Sequence, residues 1–174
     1  MNSTYASLLP NDFSTDSRVW VYQATRKLSQ EESQKVKELL ADFIHGWQSH
    51  GSPVKGFGAL LFDQFLVLMA DETAVGVSGC STDSSVHFVQ QIEKTLHLSF
   101  FDRQSLAFLV DGEVRIIHLT DLNRAFITKV ISADTFYFNN LVQTKAELVE
   151  GWILPVKKTW LAGKIPDAQA EFRQ

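Results

Sequence analysis

Six consecutive residues, Phe65-Leu66-Val67-Leu68-Met69-Ala70, are all apolar. A strand sends successive side chains to opposite faces, so such a run leaves water only if both faces are covered. It is far too short to span a bilayer, as is Ala59–Phe62. The run is therefore expected to be a central strand.

The neighbouring segments supply its partners. Val19-Trp20-Val21-Tyr22 has the β-branched and aromatic composition of a strand. Ser29-Gln30-Glu31-Glu32 fits a capping box, with Ser29 as N-cap and Glu32 at the third helical position. Val36, Leu39, Leu40, Phe43, Ile44 and Trp47 follow at helical spacing, and Gly51 with Pro53 is a stop. Lys55–Phe62 is expected to form a hairpin with Phe65–Ala70 through Asp63-Gln64. A second helix is expected from about Ser84 to His97, with Val86, Val89, Ile92 and Leu96 inward. Leu106–Val110 and Glu113–Ile117 flank Asp111-Gly112, a two-residue hairpin signal.

The order strand, helix, strand, strand, helix, strand predicts an α+β fold with a ferredoxin-like, split βαβ core. Its sheet would be mainly antiparallel and extended by the strand after Gly112. Downstream, Asp121 is placed to cap a short helix through Val130, Thr135–Phe138 reads as a strand, and Thr144–Trp152 as a helix stopped before Pro155. Trp152 and Trp160 are either core anchors or part of an exposed patch. The 174 residues fit one domain. Residues 1–17 are polar and read as a flexible arm. Residues 18–165 are expected to form a single α+β domain, with a core over 18–118 and a C-terminal extension over 119–165. Residues 166–174 read as a frayed tail.

A net charge of −4 without a basic stripe argues against nucleic acid. One cysteine allows no internal disulfide, and residues 1–17 show no signal peptide. A cytoplasmic protein with no membrane segment is expected.

Chemistry is concentrated in Gly79-Cys80-Ser81-Thr82-Asp83-Ser84-Ser85, read as a strand-to-helix junction. A thiol near a helix N-terminus is stabilised as thiolate, so Cys80 is the candidate nucleophile, with His87 as base and Asp83 as its orienting carboxylate. The alternative is that Cys80 is a small buried hydrophobe and that Ser81, Thr82 and Asp83 compete for the N-cap. Gly79, Ser81, Thr82, Ser84 and Ser85 could instead present hydroxyls and backbone N–H groups to an anion. Asp83 opposes that by its charge. Asn139 and Asn140, after the aromatic strand Phe136-Tyr137-Phe138, are candidate ligand-reading amides, or occupants of a left-handed tight turn. The histidines at 45, 50, 87, 97 and 118 show no metal-binding spacing, so no metal and no cofactor is expected. Gly56-Phe57-Gly58 lies inside a strand and marks a bulge or a close backbone approach.

Arg18-Val19-Trp20-Val21-Tyr22-Gln23, the Gly79–Ser85 run and Phe138-Asn139-Asn140-Leu141-Val142-Gln143-Thr144-Lys145-Ala146-Glu147-Leu148 resemble a family of small uncharacterised bacterial proteins. That family commonly carries the label "ABC transporter ATPase", and the likeness runs from about Arg18 to Trp160. The label implies a nucleotide-binding protein, and Val77-Ser78-Gly79-Cys80-Ser81 faintly echoes the L-S-G-G-Q signature. G-x-x-x-x-G-K-[ST] is absent, so the resemblance transfers family membership and no catalytic residue. Three functions are thus in view. The first is a non-catalytic module binding a small ligand or protein, with a homodimer through a sheet edge among its forms. The second is a thiol-dependent or redox-responsive protein using Cys80. The third is a nucleotide-binding protein.

Overall fold

The apolar run does become a central strand, and the reason lies in what surrounds it. The computed structural model describes residues 3–49, 51–71 and 79–166. These form two compact units. The first comprises residues 1–102 and 140–151, the second residues 103–139 and 152–174. Among the described residues all pairings between strands are antiparallel, so the chain is α+β with mainly antiparallel sheets.

In the first unit, β1 (Arg18–Gln23), β4 (Lys55–Leu61) and β5 (Phe65–Asp71) make a three-stranded sheet in the order β1-β5-β4. Every residue of β5 is buried, and Phe65 through Ala70 are fully shielded. Leu66 and Leu68 share a core with Val36 and Leu40 from helix α2 (Gln30–Gly46) and with Phe88, Val89 and Ile92 from helix α3 (Gly79–Leu96). Fully burying a side chain of this size contributes about 1.5–3 kcal/mol.

Local signals place α2. Ser29 accepts a hydrogen bond from the Glu32 backbone N–H at 3.2 Å, and the Glu32 carboxylate accepts from the Ser29 N–H at 2.8 Å. Arg26 closes on the same carboxylate at 2.7 Å and 2.8 Å. That guanidinium is the largest cause holding the Glu32 pKa down at about 2. The helix ends at Gly46, ahead of the anticipated stop. The chain then turns through the two-residue strands β2 (Gln48–Ser49) and β3 (Ser52–Pro53), with Gly51 at φ 78° in the left-handed region.

Gly56 and Gly58 mark a close backbone approach. A Cβ at Gly58 would lie 2.6 Å from Leu40 Cδ1 and 2.9 Å from its Cγ, and one at Gly56 would lie 2.7 Å from Trp47 Cε3. Only hydrogen at these positions lets α2 settle onto β4.

The ferredoxin-like expectation is corrected by strand pairing. In that arrangement the first and third strands run parallel side by side, and the fourth joins the same sheet. Here β1 is antiparallel to β5, and the fourth long strand, β6 (Ser105–Val110), belongs to another sheet. The Asp111-Gly112 turn gives β6 a local partner in β7 (Glu113–His118), and both turn residues take positive φ, 53° and 82°. Such a mirror-image turn matches strand twist.

The N-terminal segment is not a free arm. It starts with the short helix α1 (Ser3–Ala6), and Tyr5, Leu9 and Phe13 are buried. The Tyr5 hydroxyl donates to the Leu148 carbonyl at 2.9 Å, in helix α5 (Lys145–Gly151). Lys145 Nζ donates to the Pro10 and Phe13 carbonyls, each at 2.8 Å. Lys55 Nζ pairs with buried Asp71 at 3.0 Å and exposed Asp12 at 3.1 Å. Polar composition conceals three apolar anchors at four-residue intervals.

In the second unit the sheet order is β7-β6-β8-β9, with β8 (Phe136–Phe138) and β9 (Ile153–Pro155). Leu106, Phe108, Tyr137, Val156 and Leu161 pack with Leu122 and Phe126 of helix α4 (Leu122–Ile127). Asp121 makes no capping hydrogen bond. His118 Nδ1 instead accepts from the Thr120 N–H, starting a 3-10 turn before α4. Trp152 is fully buried against Phe138 at 5.5 Å, whereas Trp160 is 47% exposed, so the two tryptophans divide between anchor and surface. Among the described residues no helix is long and apolar enough to cross a membrane.

Two outcomes test this packing. Gly58→Ala should cost about 1–3 kcal/mol in urea denaturation, the range for overpacking a closed core. Gly46→Ala, where an added Cβ meets nothing within 4 Å, should be neutral or slightly stabilising. Burial also pushes the Tyr5 pKa from 10.0 up to about 12. Its neutral hydroxyl thus stabilises the fold below pH 10, and that contribution is lost as pH rises from 10 to about 12. The wild-type urea midpoint should fall more steeply over that interval than that of Tyr5→Phe.

Candidate functional site

Helix geometry decides what the Gly79–Ser85 run can do. The sequence places it ahead of the helix; the structure begins α3 at Gly79, so the run forms the first turns instead of a loop. The side chains of Gly79–Thr82, Cys80 included, lie outside the described residues. On a continuous helix Cys80 and His87 are two turns apart, about 10.5 Å along the axis at 1.5 Å per residue. Asp83 and His87 are exposed and share a face, but no hydrogen bond joins them.

The two serines that follow are spent on aromatic partners. Ser84 Oγ accepts the Trp47 indole N–H at 3.1 Å, and Ser85, fully buried, meets the Tyr22 hydroxyl at 3.3 Å. Burial raises the Tyr22 pKa, and the Ser85 contact lowers it in part. Trp47 also packs at 5.9 Å from Trp20 and 5.1 Å from Phe43. These hydroxyls let amphipathic rings sink into the core with their polar tips satisfied.

Asn140 Nδ2 donates to Gln23 Oε1 at 2.8 Å, at the end of β1, and the Asn139 backbone N–H donates to the Trp152 carbonyl at 2.6 Å. Neither asparagine has a positive φ, so the left-handed turn expected there does not form. Among the described residues the left-handed non-glycine positions are Phe62, Asp63, His97, Asp111 and Lys129.

What the fold does assemble is an open groove of about 630 Å³ between α2 and α3. Phe43 and Phe88 lie at its base, stacked with ring centroids 4.3 Å apart and planes 9° from parallel. Leu39 continues this apolar surface. Asp42 stands on the α2 side, and His87, Gln90, Gln91 and Lys94 rise from α3. The last four follow the spacing of one helical stripe. Of the candidate site residues read from the sequence, His87 and Ser84 line this groove, together with Leu39 and Phe43 from the apolar face expected of α2. The other polar residues went unnoticed because a polar stripe on an amphipathic helix reads as solvated surface, while Phe43 reads as core. Among the described residues no three His, Cys, Asp or Glu side chains are grouped to hold a metal ion.

No family model, curated protein or solved structure matches this chain.

The Ser84 contact is directly testable. Ser84→Ala leaves a buried indole N–H without its acceptor and should cost about 1–3 kcal/mol, the penalty for orphaning a buried donor. The Trp47 indole resonance should shift in the 15N spectrum while the other three tryptophan indoles hold their positions.

Proposed function

We propose that this protein is a non-catalytic binding module whose groove between α2 and α3 takes a small dipolar molecule. The stacked Phe43–Phe88 base, flanked by charges of opposite sign, is the observation that carries this reading. An apolar body would lie on the rings. A cationic group would turn toward Asp42, and an anionic one toward Lys94 and His87, with Gln90 and Gln91 supplying neutral donors and acceptors. A groove of about 630 Å³ falls within the size range of small-molecule sites. An amino acid or the end of a short peptide has this chemistry.

Thiol catalysis through a Cys80–His87 pair has less support, because the helix sets the two residues two turns apart. The engagement of Ser84 and Ser85 with Trp47 and Tyr22 likewise weakens an anion site built on their hydroxyls. A cytoplasmic setting, as the lone cysteine suggests, and membership of the small bacterial family belong to the same proposal.

The test is a 15N titration of the full chain with L-phenylalanine, alongside its N-acetyl and carboxamide forms, each lacking one charge. The free amino acid should produce saturable shifts at Asp42, Phe43 and His87–Lys94, with an apparent Kd of roughly millimolar, as for a shallow open site. Asp42→Asn and Lys94→Gln should each weaken it at least about tenfold, one lost charge-assisted contact. Blocked forms that bind as well as the free amino acid, or no shift at all, would sink the reading.

A further inference from the structure

Sheet edges are the places where a chain must protect its unused backbone groups, and in the two larger sheets one edge lacks the usual protections. The outer edge of β1 is bridged by Arg18 to Thr144, and the Gln143 carbonyl accepts the Val19 N–H at 2.8 Å. At the edges of the other large sheet, β7 carries Glu113, Arg115 and His118, while β9 is three residues long and ends in Pro155. Charge, brevity and proline are the usual protections of an edge.

Strand β4 has none of them beyond Lys55. Its pairing with β5 runs one-to-one from Lys55↔Asp71 to Leu61↔Phe65, so no bulge twists it away. From Gly56 to Leu61 it holds no charge and no proline, and Gly56 through Leu60 are partly exposed. No other described strand pairs with its free side. An open, mainly apolar groove of about 630 Å³ runs along this strand, lined also by α2 and Leu8. Leu8 is 60% exposed.

We infer that this edge receives an extended segment of another protein, added to the sheet as a fourth strand beside β4, and that the segment carries acidic residues four apart. The charge pattern selects that occupant. Lys37, Ala41 and His45 form one row on α2 above the groove, and neither Lys37 nor His45 has a hydrogen bond or ion pair among the described residues. Eight residues of helix span about 12 Å. Four residues of strand span about 13.6 Å and return the side chain to the same face. An acidic-x-apolar-x-acidic segment thus sets one carboxylate near the Lys37 ammonium and the other within reach of the His45 imidazole N–H, with the central side chain over small Ala41. Main-chain hydrogen bonds to β4 supply affinity, and the alternate side chains supply register. A second copy of this chain fits poorly. Pairing β4 with itself about a two-fold axis would turn the two Lys37-to-His45 rows toward each other and bring no carboxylate to Lys37.

The experiment uses the full chain, 15N-labelled, with the blocked heptapeptide Ser-Glu-Thr-Val-Thr-Glu-Ser as probe. The same peptide with both Glu changed to Lys, and one N-methylated on alternate amides, are its comparators. Saturable shifts of the Gly56–Leu61 amides are expected with the Glu peptide, at least about tenfold weaker with either comparator. Lys37→Glu, an exposed change that leaves the core intact, should reverse the preference between Glu and Lys peptides. Three results overturn the inference: β4 amides that no peptide moves, equal binding of both charge forms, or a dimer by light scattering with β4 amides already protected from exchange without peptide.

Discussion

Burial of β5 on both faces is the constraint from which the first unit follows. A strand with no exposed side chain between Phe65 and Ala70 cannot lie at a surface, so something must cover each face. On the face carrying Leu66 and Leu68 the cover is α2 and α3, and an amphipathic helix can shield a strand only by coming close to it. Gly56 and Gly58 provide that closeness, bringing the Leu40 and Trp47 side chains to within about 3 Å of where a Cβ would stand. The same two glycines leave β4 smooth and uncharged along its outer side. Tight packing of the core and the bare edge of the sheet are therefore two results of one local composition.

Legibility from sequence tracks the distance over which each feature is decided. The Ser29–Glu32 box and the Asp111-Gly112 turn are set by neighbours within a few residues, and the expectations for them agree with the structure; glycines inside a strand mark the close approach at Gly56 and Gly58, although its partners Trp47 and Leu40 lie in the preceding helix and its cap. The sheet's topology depends on β1 choosing the antiparallel side of β5, more than forty residues away, and nothing in the order of elements encodes that choice. The N-terminal segment misleads for another reason. Its composition is polar, but Tyr5, Leu9 and Phe13 recur every four residues and bury, held by Lys145 and Lys55 from distant elements.

The candidate site shows the same limit in sharper form. Small hydroxyl residues near a helix start suit catalysis, anion binding and structural hydrogen bonding alike, and sequence cannot separate these uses. Geometry separates two of them: Ser84 and Ser85 face the Trp47 and Tyr22 tips, an arrangement that needs three elements in register. The groove formed by Asp42, Phe43, Phe88 and Lys94 likewise exists only once α2 lies beside α3.

Both grooves lie against one helix, on opposite flanks of its buried ridge. At about 100° per residue, Val36 and Leu40 point to the core, Lys37, Ala41 and His45 fall to one side, and Leu39, Asp42 and Phe43 to the other. A helix seated on glycine hydrogens has no slack toward the sheet, because interiors at crystal-like density transmit displacement and do not absorb it. The backbone of α2 behind both grooves is therefore held in place by the core, while the exposed side chains along their rims stay free to move.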